Sequence, residues 1–119
     1  MDTVPVDVAG FIEPGKPLIP SEAVVSLPAD AIELETEVVY RFLTDYGHIP
    51  AGTYVVAELR DCAHSGELIV ARDGEDVYVG WWWAKHGLVE LRDNAGNTLL
   101  SNPVILASIN HIIAITARR

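Results

Sequence analysis

Nine short apolar, β-branched or aromatic runs, most of them closed off by a turn signal, constrain this chain more than any other feature. They cover residues 4–8, 24–27, 38–42, 54–58, 67–72, 76–83, 88–92, 104–106 and 112–117. Between them stand Pro14-Gly15, Pro28, Tyr46-Gly47, Ala51-Gly52, Ser65-Gly66, Asp73-Gly74, His86-Gly87 and Asn94-Ala95-Gly96-Asn97. Runs of this length and chemistry read as strands, and the punctuation between them reads as turns. No segment carries apolar residues at helical spacing, and residues 29–34 make one turn at most. Alternation is clearest where Val77, Val79 and Trp81 share one face and Tyr78, Gly80 and Trp82 the other. Asp73-Gly74 predicts a tight hairpin pairing residues 68–72 with 77–81. The expectation is all-β: a sandwich or small, partly closed barrel of short strands. Residues 1–20 hold four of the seven prolines (Pro5, Pro14, Pro17, Pro20). They are expected to be an extended arm crossing a single β domain, residues 21–119, and not a buried strand.

The 119 residues suffice for one domain with a core of its own. Half are apolar and a fifth charged, a balance that excludes intrinsic disorder. No apolar run reaches the ~18 residues of a membrane-spanning helix. The opening Met1-Asp2-Thr3-Val4-Pro5 has neither the basic flank nor the apolar stretch of a secretory signal. The lone Cys62 has no internal disulfide partner. A cytoplasmic location is the expectation. Charge is lopsided: residues 1–37 carry eight acids and one base, Lys16, leaving −2 of the total −9 for the other 82 residues. Such a surface repels phosphate backbones, so direct nucleic-acid binding is not expected.

Several side chains invite a functional reading. Alternation through Trp81-Trp82-Trp83 sends the middle ring opposite to its neighbours, so core packing and an aromatic partner contact compete. His48, His64, His86 and His111 lie in separate turns or strand starts without metal-ligand spacing, so solvated histidines and no bound metal are expected. Cys62 reads as a half-buried, inert thiol. Glu33, Glu35 and Glu37 alternate and read as one solvated edge, with a basic partner as the competing use. No phosphate-binding loop or Ser-His-Asp set is present, and no cofactor is expected.

Three stretches resemble one family. Ile49-Pro50-Ala51-Gly52-Thr53 leads into the apolar Tyr54-Val55-Val56-Ala57. Ser65-Gly66-Glu67-Leu68-Ile69-Val70-Ala71-Arg72 follows, then the acidic hairpin Asp73-Gly74-Glu75-Asp76-Val77-Tyr78-Val79. The series resembles the C-terminal domain of the LexA, UmuD and phage-repressor self-cleaving peptidases. More weakly, Leu88-Val89-Glu90-Leu91 resembles a further strand of that family. Residues 112–118 resemble its closing strand, and residues 9–18 its cleavage-site region. The resemblance covers residues 8–118 and implies a bent, β-ribbon-rich fold, often dimeric.

It also implies a Ser nucleophile and a Lys base, and neither is where the motifs place them. A serine hydroxyl is a poor nucleophile near neutral pH without a base such as a buried lysine of depressed pKa. The nucleophile position falls on Leu43 and the base position on Gly80, with Thr44 and Lys85 the only nearby fallbacks. The cleavage-like pair reads Pro14-Gly15 where the family has a small residue before glycine. The expectation is a pseudo-peptidase without enzyme activity, working through protein–protein binding. In that role it would be a regulatory, oligomerising domain of a prophage or SOS-type repressor, as a homodimer or a hetero-complex. Two alternatives stay open: a UmuD-like accessory subunit of a translesion polymerase, and an active self-cleaving peptidase. Trp81, Trp82, Trp83, Ile112, Ile113 and Ile115 are the expected interface residues, with residues 112–117 as the pairing edge.

Overall fold

Runs such as Leu68-Ile69-Val70-Ala71, apolar at every position, can form strands only where both faces of a sheet are covered. A computed structural model describes residues 2–47 and 49–113 and shows how that cover is achieved. Its elements are eleven strands: β1 (Thr3–Ile12), β2 (Lys16–Pro17), β3 (Ile19–Pro20), β4 (Val24–Pro28), β5 (Glu37–Phe42), β6 (Tyr54–Leu59), β7 (Leu68–Asp73), β8 (Asp76–Lys85), β9 (Leu88–Arg92), β10 (Thr98–Ser101) and β11 (Val104–Ile113). Among the described residues there is no helix, and so none long and apolar enough to cross a membrane.

The all-β expectation holds, but the partly closed barrel does not. Pairing runs β10-β9-β8-β7-β11-β6-β5-β1-β3 as one open, mixed sheet in which only the β1–β5 step is parallel. Among the described residues, β2 alone returns across the sheet, pairing with β8 through Lys16↔Val77 and Pro17↔Asp76. Pro17 and Pro20 lack the N–H a longer ladder would need, so β2 and β3 stop at two residues each.

The first twenty residues also need correcting. They do not lie over the body as an arm. Instead they begin with a ten-residue strand whose Val8, Gly10 and Ile12 are buried in the sheet. The runs at 104–106 and 112–117 belong, as far as residue 113, to one strand; residues 114–117 lie outside the described part. Register shifts at Ile105/Ala107 and Ile109/His111 break the alternation of β11. That irregularity makes its polar centre look like a gap in sequence.

Three buried clusters fill the space. Phe42, Ile12, Val55, Ala57, Leu68, Val70, Val77 and Val79 belong to the first. Ile69, Ala71, Trp82, Leu91 and Leu100 form the second, and Val8, Leu27, Val39 and Val56 the third. Consecutive residues of a middle strand therefore feed different cores, Val55 the first and Val56 the third. The sheet bends around the first cluster, with the other two on its reverse face. The result is 46 Å long with a radius of gyration of 14.3 Å, above the about 13.5 Å of a compact domain this size.

The hairpins carry the bend. The predicted β7–β8 pairing is present from Leu68↔Trp81 to Asp73↔Asp76. Between β8 and β9 the loop is His86-Gly87, both with positive φ (52° and 79°), the backbone of a type I′ turn.

Phe42→Ala, which empties the first core, is expected to cost about 3–5 kcal/mol. Leu88→Ala, at a residue 61% exposed, should stay within about 0.5 kcal/mol. Urea unfolding of the two variants checks the contrast.

Candidate functional site

The two positions named by the resemblance, 43 and 80, both lie among the described residues. Leu43 directly follows β5 and is 39% exposed, and its N–H donates to the Ile12 carbonyl at 2.9 Å. Ile12 leads into a turn in which Lys16 N–H bonds the Glu13 carbonyl (3.1 Å) and Gly15 N–H bonds the Val77 carbonyl (2.8 Å). The Pro14-Gly15 turn is thus fastened at one side to the end of β5 and at the other to β8. Thr44 is exposed one residue beyond Leu43.

Gly80 lies buried in mid-β8. A Cβ there would come within 2.7 Å of the Arg92 carbonyl and 2.9 Å of Leu91 Cγ. No lysine fits at this position unless β9 moves. Lys85 sits exposed at the end of β8, and Lys16 pairs with Glu13 at 3.0 Å. Beside Leu43, the loop to β6 presses on the β9–β10 turn. The Tyr46 hydroxyl is buried without a partner, and burial, helped by the Asp93 charge, pushes its pKa up to about 12. Tyr46 is therefore no proton acceptor at neutral pH.

A second constellation surrounds β11. The Glu67 carboxylate accepts from the Arg60 guanidinium, from the His64 N–H (2.6 Å) and from the Ser108 hydroxyl (2.8 Å). Glu37 does the same from the other flank, accepting from the Glu33 and Leu34 N–H groups (2.7 and 2.9 Å) and from Asn110 Nδ2 (2.9 Å). Two carboxylates, Glu37 opening β5 and Glu67 directly preceding β7, thus tie turns to Ser108 and Asn110 of β11. Burial alone would raise the Glu67 pKa, but the bonds from His64, Ser108 and Arg60 and the Arg60 charge hold it below the usual 4.5. For Glu37, burial is likewise outweighed by Asn110, the two backbone donors and the His111 charge. A carboxylate so stabilised is a weak base. Ser108, 2% exposed, gives its proton to that carboxylate as a hydrogen bond and is not activated. The arrangement holds a strand in place.

Beyond Ser108, β11 pairs with β6 alone, because β7 begins at Leu68 and leaves that side. An open cleft of about 410 Å³ runs along it, lined by Glu67, Leu68, Trp81, Ser108, Ile109, Asn110 and Ile112. A smaller one of about 290 Å³, between Pro28, Asp30, Ala31 and His111, also takes Ile112 as a wall. Ile112, 42% exposed, is the ridge between them.

The expected interface residues separate here. Trp82 is buried in the second core and lines the floor of a cleft with Cys62 and Val104. Trp81 packs on the first core, its Nε1 donating to Asn94 Oδ1 at 2.7 Å, and Trp83 is half-buried under the Arg92 guanidinium at 3.9 Å. Ile113 packs on the third core, whereas Ile115 lies outside the described residues.

Glu37 is no part of a solvated edge: it is buried, while Glu33 and Glu35 are exposed. A buried carboxylate is tolerated because every oxygen has donors. Cys62, read as half-buried, is exposed at the rim of a cleft beside Trp82 and Val104. His64, His86 and His111 are exposed, His111 lying 3.8 Å from Glu33; His48 lies outside the described residues. Among the described residues no three His, Cys, Asp or Glu side chains cluster to hold a metal. Arg60, Ser108 and Asn110 carry no sequence motif, and Glu67 stands in the resembling stretch 65–72 without being singled out there. Their one signal is a polar residue interrupting or opening an otherwise apolar strand run.

Models of known protein families find no match in this chain, and a search of curated proteins finds no significant one.

Since Glu37 and Glu67 ionise more readily folded than unfolded, their stabilisation is fully present above about pH 5 and is lost as pH falls through their lowered folded values. Glu67→Gln should cost about 1–3 kcal/mol at pH 7 and flatten the acid side of the stability profile. Urea midpoints from pH 3 to 7 measure both.

Proposed function

We propose that this chain is a LexA-like domain without Ser-Lys peptidase chemistry, acting by binding as the regulatory and oligomerising part of a prophage or SOS-type repressor. The observation that carries the reading is the Pro14-Gly15 turn held between the end of β5 and β8. That turn follows the Ile12 carbonyl bonded by Leu43 N–H and meets β8 at Val77, three residues before Gly80. The two positions named by the resemblance hold an exposed leucine and a glycine with no space above it. Hydrolysis needs a nucleophile and a base, whereas binding needs only the scaffold.

The surface that serves binding best is the free half of β11. Among the described residues its backbone lacks a neighbour on one side, and Ile112 stands between two hollows that a second copy's own ridge can enter. A two-fold pairing of this kind uses the same patch on both partners.

Light scattering on a sizing column should find a dimer, and Ile112→Asp should be monomeric with an unchanged unfolding midpoint. A wild-type monomer at high concentration, or a variant that still dimerises, overturns the oligomerisation claim.

Incubation at pH about 10, where an exposed lysine begins to deprotonate, should leave the chain intact. The Leu43→Ser/Gly80→Lys double variant should also stay uncut and be destabilised by about 1–3 kcal/mol through overpacking. Clean cleavage between Pro14 and Gly15 in the wild type overturns the loss of chemistry.

A further inference from the structure

We propose that the outer edge of β4 is a strand-addition site for an extended, Lys- or Arg-rich segment of a partner protein. Among the described residues β4 pairs with β1 alone. Its polarity follows from the register. Val8 N–H donates to the Ala23 carbonyl at 2.9 Å, so Ala23, Val25 and Leu27 turn their backbone groups toward β1. Val24 and Ser26, at alternate positions, aim theirs outward. The prolines agree: Pro5 opposes Ser26 and Pro28 opposes Thr3, the pairs in which no inward donor is required.

This edge is unguarded in a way the two end strands of the sheet path, β3 and β10, are not. β3 is two residues long and ends in Pro20, and β10 has four residues with a register shift. β4 contains no charge and no bulge, and its one proline is the last residue, whose carbonyl already accepts from Ala31 N–H. Val24 is 59% exposed. Free edges are ordinarily blunted by short length, charge, proline or bulges.

The surrounding charge selects the occupant. Asp2, Asp7, Glu22 and Asp30 are exposed around the β1–β4 ribbon. The one base in residues 1–37, Lys16, is engaged with Glu13 at 3.0 Å. A second copy adding its own β4 would bring like charges together, which disfavours self-pairing. An incoming strand with Lys or Arg gains ion pairs at its flanks and main-chain bonds at Val24 and Ser26, the general form of strand addition.

The test uses the full chain and a fluorescent ten-residue peptide of alternating Lys and Val, read by anisotropy. The peptide should bind, and its Glu-Val counterpart should not. Ser26→Pro removes one outward N–H and should weaken binding about tenfold or more, its fold checked by the unfolding midpoint. Asp7→Asn/Glu22→Gln/Asp30→Asn should weaken binding and reduce its salt dependence. A Lys-Val peptide N-methylated at alternate residues, which cannot pair as a strand, should lose binding to the unaltered chain. Absence of binding by the Lys-Val peptide, or equal binding by the methylated peptide, overturns the proposal. So does a folded Ser26→Pro chain that binds undiminished, since attraction would then be by charge alone.

Discussion

A single sheet that must be dry on both faces is the constraint from which the rest of this structure follows. Val55, Val56 and Ala57 in β6 and the four residues from Leu68 to Ala71 in β7 are all buried. Strands this apolar are usual in sheets covered by helices, and this chain has none among its described residues. It covers itself by bending. The sheet curls over Phe42 and its neighbours, and the two ends fold back as ribbons, β9–β10 over Ile69 and Ala71 and β1–β4 over Val39 and Val56. A helix covering either face would remove the need for these ribbons. Their existence creates edges, clefts and a long molecular axis.

Bending a sheet this far strands polar groups where it turns, and two carboxylates, the buried Glu37 and the half-buried Glu67, answer that need. Glu37 and Glu67 each accept from backbone amides of the turn before their strand and from one side chain of β11. The pair fixes β11 at Ser108 and Asn110, beside the register shift at Ile109/His111 where its ladder is irregular. Side-chain bonds thus take over where backbone pairing is interrupted. Charged acceptors suit this role, because hydrogen bonds to an ionised group are about twice as strong as neutral ones.

What could be read from the sequence was local. Strand periods, the β7–β8 hairpin and the opposite faces of Val79 and Gly80 follow from alternation and turn chemistry, which act over a few residues. What could not be read depends on distant partners. Pro5 marks its strand as an exception, yet β1 is embedded because Val8 and Ile12 meet β5 some thirty residues away. The Glu33, Glu35 and Glu37 series reads as one solvated edge, but only Glu37 finds Asn110, 73 positions later, and is buried. Trp82 reads as core or contact equally well, since the choice is made by Leu91 and Leu100 closing over it.

The glycine at position 80 links packing to the proposed function. It is buried where the Arg92 carbonyl crosses β8 too closely for any side chain, and the same crossing seats Leu91 in the second core. A lysine there would need β9 farther from β8, which would open the cover over Ile69, Ala71 and Trp82. On the proposed reading, then, the base cannot return by one substitution, because the space it needs now belongs to a hydrophobic core. Position 43, exposed and loosely bounded, carries no comparable restriction. Loss of a nucleophile alone is reversible, whereas a core grown into the site of the base is not. On that reading the surfaces are where the chain keeps evolutionary freedom, and binding is the property the scaffold would refine there.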